Sequence, residues 1–434
     1  MNNPELLSPA GSLKAMEYAF AYGADAVYAG QPRYSLRVRN NEFNRLEKLA
    51  AAIEQAHSAG KKFYLASNIA PHNDKVRTWL RDVAPIIEMS PDALIMSDPG
   101  LIMMVREKWP EVPVHLSVQA NTINYAAVRF WQTVGISRVI LSRELSLEEI
   151  AEIRDQCPDM ELEAFVHGAL CIAHSGRCLL SGYMTHRDSN QGACTNSCRW
   201  KYQAHEAEED DQGNVIPVSE EPLMLLQEQQ RPGEFMPAYE DEHGTYIMNS
   251  RDLRAVQHVA QLLDIGIESL KIEGRTKSPY YVARTAQVYR QAIDAALAGR
   301  PFDMGWMEDL EALANRGYTE GFYRRHPPAE YQNYEQGKSD IVGRRFVGDV
   351  SSDDAHADRL TIDVRNRFDV GDELELMTPR GNHSFRLSRM ENRKGDAIDS
   401  APGSGHVVLI PRKEAWPGDE LPDNSLLVRY LPDD

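Results

Sequence analysis

Four cysteines stand close together near the middle of this 434-residue chain, which holds five in all. Cys171, Cys178, Cys194 and Cys198 are separated by six, fifteen and three residues. Thiols at this density can ligate a metal ion, cage a cluster, oxidise to disulfides or pack as small apolar groups. The first residues, MNNPEL, lack the apolar stretch of a secretory signal. No apolar run is long enough to cross a bilayer. The expected compartment is therefore the cytoplasm, with no membrane partner, where thiols stay reduced. Zinc favours tight Cys pairs, and only Cys194–Cys198 is tight. A 4Fe-4S cluster is larger than one ion and accepts wider spacing. Gly168, Gly176, Gly182 and Gly192 let the backbone come close and leave N–H groups for cluster sulfurs. The pattern points first to a 4Fe-4S cluster on these four thiols, with zinc and packed free thiols as alternatives. Cys157 ends a helical pattern before Pro158 and reads as a packing residue.

Basic side chains gather around three stretches: Arg33, Arg37 and Arg39; Arg177, Arg187, Arg199 and Lys201; Lys271, Arg275 and Lys277. Arginine pairs bidentately with carboxylate and phosphate, so an anionic ligand is expected. Arg37, Arg143 and Lys271 are the candidate substrate-binding residues, and His167, Glu273 and Arg275 the candidate catalytic ones. An unperturbed histidine titrates near neutrality, which would suit His167 to proton transfer. Each has a structural alternative, a salt bridge or a hydrogen bond at a strand end.

What must position these groups is a repeating strand–helix alternation over residues 1–300. Short apolar runs fall at 5–7, 26–29, 62–66, 93–96, 114–118, 138–141, 162–166 and 269–272. Amphipathic helical segments follow nearly all of them, one opened by the capping-box pattern Ser146-Leu-Glu-Glu149. Eight such units predict a TIM-type (β/α)8 barrel, with an open doubly wound sheet as the rival. Polar residues just past the strand runs, among them Ser8, Gln31, Asn68, Asp98, Asn121, Arg143, His167 and Glu273, would then meet at one barrel face. The seventh unit carries a cysteine-rich insertion at 168–250. It comprises the cysteine cage, 171–198, and an acidic excursion, 204–242. The excursion holds twelve acidic residues against Arg231, or −11 of the net −18, and reads as a solvated excursion or lid. The net charge argues against broad non-specific nucleic-acid binding. Residues 301–340 read as a linker whose Arg316–Arg325 aromatics and arginines either stack on RNA or pack on the barrel. Period-two runs from 341 to 434 predict a small C-terminal all-β domain.

The cysteine stretch also carries a family resemblance. Glu163-Ala-Phe-Val-His167-Gly-Ala-Leu-Cys171, followed by Gly176-Arg-Cys178 and Ser181, resembles the signature of the peptidase U32 family. Leu6-Leu-Ser-Pro-Ala-Gly11 and Lys271-Ile-Glu-Gly-Arg275 are similar to other motifs of that family, and residues 23–40 to its branch that acts on transfer RNA. The resemblance implies an iron–sulfur RNA-modifying enzyme that hydroxylates the wobble uridine of tRNA to 5-hydroxyuridine, with prephenate as anionic co-substrate. Two other readings stand beside it: a peptidase, as the family label says, and a non-catalytic RNA-binding module stapled by its cluster. Neither an HExxH zinc motif nor a G-x-S-x-G elbow is present, which makes protease activity doubtful.

Overall fold

The computed structural model describes residues 4–36, 42–170, 174–175, 251–315, 317–324, 343–352 and 358–431, with the backbone of five short strands between 207 and 246. Eight parallel strands close a barrel: β1 (Glu5–Pro9), β2 (Ala26–Gly30), β3 (Lys62–Ser67), β4 (Ala93–Met96), β5 (Val114–Leu116), β6 (Arg138–Ile140), β7 (Glu161–Ala169) and β8 (Ser269–Ile272). Each pairs with its neighbour in order. β8 closes the ring by pairing with β1 (Glu5↔Ser269) and with β7 (Glu163↔Ser269). The barrel expected from the eight apolar runs is the one observed.

Local sequence explains the outer helices. Ser12 caps α1 (Leu13–Ala21) by accepting from Ala15 N at 3.1 Å. Asp98 does the same for α4 (Pro99–Lys108), whose Pro99 needs no amide donor in the first turn. The capping box on α6 (Leu147–Gln156) forms as read, with Ser146 and Glu149 bonding each other's backbone. The longest helix, α8 (Pro279–Leu297), packs along α1 and β1 and is buried on nearly every face.

The insertion and the linker depart from the patterns expected of them. Residues 207–246 contain a hairpin (Ala207–Glu209 with Val215–Pro217) and a three-stranded antiparallel sheet (Met224–Gln227, Phe235–Asp241, Gly244–Tyr246). Asp252–Arg254 then pairs antiparallel to β7. Tyr318–Thr319, read as linker, joins that added strand in parallel. Tyr323 is buried and its hydroxyl donates to Phe165 O at 2.5 Å, so this aromatic packs on the barrel.

The C-terminal domain is an eight-stranded sheet in the order Gly381–Arg386, Glu373–Thr378, Leu426–Tyr430, Arg344–Ser352, Arg359–Val364, Val407–Pro411, Met390–Asn392, Ala397–Ile398. Leu360, Ile362 and Val364 alternate inward, the period-two signal realised. This sheet docks on α1 and α8. Tyr22 OH donates to Met377 O and to Asn424 O, both at 3.0 Å. The fully buried Arg284 pairs with Glu375, and Tyr280 stacks on Phe346 with centroids 5.3 Å apart.

Candidate active site at the C-terminal barrel mouth

The barrel interior carries charge. Arg138, at the start of β6, donates to Glu5 Oε1 at 2.6 Å and to Glu163 Oε2 at 3.3 Å. Glu5 also accepts from Tyr64 OH at 2.6 Å, Ser269 Oγ at 3.1 Å and Lys62 Nζ at 3.2 Å. Burial raises the Glu5 pKa, but Arg138, the Tyr64 hydroxyl and Lys62 together outweigh it and the carboxyl sits below its ordinary value. Glu163 is fully buried and its other oxygen takes Lys271 Nζ at 2.8 Å. Such ions persist in a core only when each is paired.

Above this floor the strand ends present the mouth. Lys271 Nζ lies 4.3 Å from the Tyr28 ring centroid and 5.4 Å from that of Phe165. The Arg143 guanidinium covers Phe165 at 3.8 Å, and the Arg275 guanidinium lies 5.5 Å from Tyr28. Glu273 Oε2 accepts from Tyr28 OH at 3.0 Å and stands 4.0 Å from Arg143 Nη2. Burial and then the Glu273 charge push the Tyr28 phenol well above its usual range, so it stays a donor. Gly30 is required here: a Cβ would lie 2.3 Å from Ser35 Oγ and 2.9 Å from Arg275 Nη1. Two aromatic rings thus hold three cations at one mouth.

The sequence-predicted residues are not all brought together. Lys271, Glu273, Arg275 and Arg143 share this mouth. His167 does not face it. The expectation placed it just past the strand, yet β7 runs on to Ala169, and the register slips between Lys271 and Ile272. The His167 ring lies among Tyr281, Tyr289 and Tyr318, with centroids 5.8, 5.6 and 5.4 Å away. Burial, with Arg254 and Lys277 adding to it, lowers its pKa to about 3. That removes the near-neutral titration on which the proton-transfer expectation rested. Arg37, Cys171, Cys178, Cys194 and Cys198 lie outside the described residues.

Two residues of the cysteine stretch are described, and both are tied to the mouth loops. Ser175 N donates to Glu144 Oε1 at 3.0 Å, and His174 Nδ1 lies 2.8 Å from Asn121 Oδ1. Asn121 also donates to Ser175 O and takes the left-handed conformation, φ 55°. Tyr28, Phe165 and Glu163 were missed as site residues. The alternation in β7 held the signal, since Glu163 and Phe165 share a face with no polar reason to recur.

A closed ring of eight parallel strands with cations and aromatic rings at its C-terminal mouth defines the class: a TIM-barrel protein. The chain belongs to the peptidase U32 family. The model "Peptidase family U32" matches residues 11–333, and the model "Peptidase family U32 C-terminal domain" matches residues 343–427. The chain is similar to "tRNA hydroxylation protein P" of Escherichia coli, 62% identical over 428 residues, covering 95% of this chain and 94% of that one. Its similarity to the protein of the same name from Haemophilus influenzae is 58% over 448 residues, covering 99% and 96%. It is also similar to the "23S rRNA 5-hydroxycytidine C2501 synthase" of Escherichia coli, 30% identical over 401 residues, 89% of this chain and 54% of that one.

Proposed function

We propose that this protein hydroxylates transfer RNA, converting the wobble uridine to 5-hydroxyuridine, with prephenate as co-substrate and a 4Fe-4S cluster on Cys171, Cys178, Cys194 and Cys198. The observation that carries the reading is the mouth itself: Arg143, Lys271 and Arg275 converge on the Phe165 and Tyr28 rings. The names of the full-length relatives support it. Prephenate is a dicarboxylate, and two guanidiniums flanking one pocket suit two carboxylates. Arg37, outside the described residues, is assigned with them. Phe165 and Tyr28 supply flat apolar walls that exclude water, and Glu273 orients Tyr28 and Arg143. Four thiolates are a fitting donor set for the cluster, and His174 and Ser175, which lie between Cys171 and Cys178 in the sequence, bond Asn121 and Glu144. When bound, the cluster supplies either one-electron exchange or a structural clasp.

The test has two arms. Nucleosides from tRNA of a deletion strain should lack 5-hydroxyuridine and regain it on complementation with this chain. Protein purified without oxygen should carry about four irons and about four sulfides per chain. Unchanged nucleosides overturn the activity; stoichiometric zinc without labile sulfide overturns the cluster.

A further inference from the structure

We propose that Lys271 captures a 2-oxo carboxylate covalently, its Nζ forming an imine with the carbonyl carbon. The amine is the deepest cation of the mouth and is only 3% exposed. Its Nζ lies 2.8 Å from Glu163 Oε1, which gives it a proton acceptor at hydrogen-bond distance. Glu163 has a second cation, Arg138 Nη1 at 3.3 Å, so it does not depend on the lysine for its own compensation. An amine in such a place can be freed as a nucleophile without stranding a buried carboxylate.

The surroundings select the ligand class. Phe165 carries the Arg143 guanidinium at 3.8 Å and Lys271 Nζ at 5.4 Å on one ring. Tyr28 likewise lies 4.3 Å from Lys271 Nζ and 5.5 Å from Arg275. Each arginine thus shares a ring with the amine, so under this proposal a carboxylate held by one of them would set the adjacent carbonyl beside Lys271. A 2-oxo acid has these two groups on adjacent carbons. Burial lowers the Lys271 pKa and Glu163 only partly opposes it, which makes the ammonium easier to deprotonate.

The step balances without oxidant or reductant. Nζ gives one proton to Glu163 and attacks the carbonyl carbon. The C–N bond forms as the C=O π bond opens. The new alkoxide takes a second proton from Nζ to give the carbinolamine, whose hydroxyl then leaves as water with the proton returned by Glu163, and a protonated imine remains. Ammonium plus ketone becomes iminium plus water.

The inference rests on the reading that an anionic co-substrate enters this mouth, but its test uses neither RNA nor hydroxylation. The full chain, purified without oxygen, is incubated with pyruvate as the probe and sodium cyanoborohydride, then mapped by peptide mass. The expected product is one carboxyethyl group per chain on Lys271, at least about tenfold above exposed Lys394 and Lys413. Lys271→Met should lose it. Glu163→Gln keeps the amine and should slow labelling by at least about tenfold. Because it strands two buried cations it should also lower the melting temperature, so labelling is compared well below that temperature with the fold checked by far-UV dichroism, which separates chemistry from misfolding. Labelling of Lys271 in the folded chain no faster than of the exposed lysines overturns the proposal. Labelled Lys271 in a protein that leaves tRNA unmodified would sink the hydroxylase reading and leave this one standing.

Discussion

The Arg143 guanidinium carbon sits 3.8 Å above the centre of the Phe165 ring while its Nη1 donates to Ala169 O at 2.5 Å. Stacking and a backbone bond together fix the plane of the fork, and a lysine ammonium, which can make either contact singly, has no planar fork to orient. Arg143→Lys and Arg275→Lys should each lower 5-hydroxyuridine about 10- to 100-fold, the worth of about 1.5–3 kcal/mol of charge-assisted bonding. Iron content and melting temperature should stay as in wild type. Near-normal modification by either variant removes that arginine from the ligand site.

His167 gives a prediction of opposite sign. A ring that stays neutral down to a pH of about 3 cannot shape an activity profile between pH 6 and 8, so His167→Asn should leave that profile's inflections in place. Its effect belongs to stability. The unfolded histidine takes up a proton near pH 6.5 and the folded one only near 3, so the unfolded state binds more protons between these values. Stability contributed here is present above the unfolded pKa and is lost as pH falls through that window. Urea melts at pH 4 to 7 should show the acid-side slope reduced by about one proton in His167→Asn. An unaltered slope means that the ring is not buried as described.

The cysteine segment offers a test of its anchors. Asn121 and Glu144 hold His174 and Ser175, and neither is a proposed ligand. Asn121→Ala and Glu144→Ala should lose iron faster under chelator than wild type, with far-UV dichroism unchanged. Each of Cys171, Cys178, Cys194 and Cys198 changed to alanine should abolish the cluster. Cys157→Ala should retain it, since that thiol is buried at the end of α6 and donates to Tyr125 O at 3.5 Å. Full iron retention in both anchor variants would disconnect the mouth loops from the cage.

Arg284 is fully buried, and its ion pair with Glu375 ties α8 to the C-terminal sheet. Removing one partner of a buried pair leaves an uncompensated charge. Glu375→Gln should therefore cost about 3–5 kcal/mol in denaturant unfolding, while Arg284→Met, which removes the charge itself, should cost less. Equal, small losses in both would show that water reaches the pair.

Much of this was legible beforehand. Eight apolar runs at barrel spacing, the Ser146–Glu149 box and the alternation of Leu360, Ile362 and Val364 announced their elements. Lys271, Glu273 and Arg275 followed from lying at the end of β8. The orientation of His167 was not legible, because a register slip is a property of the pairing between two strands and leaves no mark in either. The added strands Asp252–Arg254 and Tyr318–Thr319 are too short for periodicity to declare. Their pairing depends on partners far away in sequence. Glu5 and Arg138 went unread for a similar reason: each is one polar residue at a strand start, and only closure of the barrel sets them face to face.

The two family models meet between residues 333 and 343, and the C-terminal sheet packs a core of its own, Leu360, Ile362, Phe368 and Leu374 among it, but the division is not complete. Met377, Leu426 and Val428, from the C-terminal sheet, belong to the same apolar cluster as the barrel. The molecule accordingly has two cores joined by a shared seam, which should couple their unfolding. Heating should give a single calorimetric transition whose van't Hoff and calorimetric enthalpies agree, and a barrel cut free of its partner would present bare core where the sheet now lies.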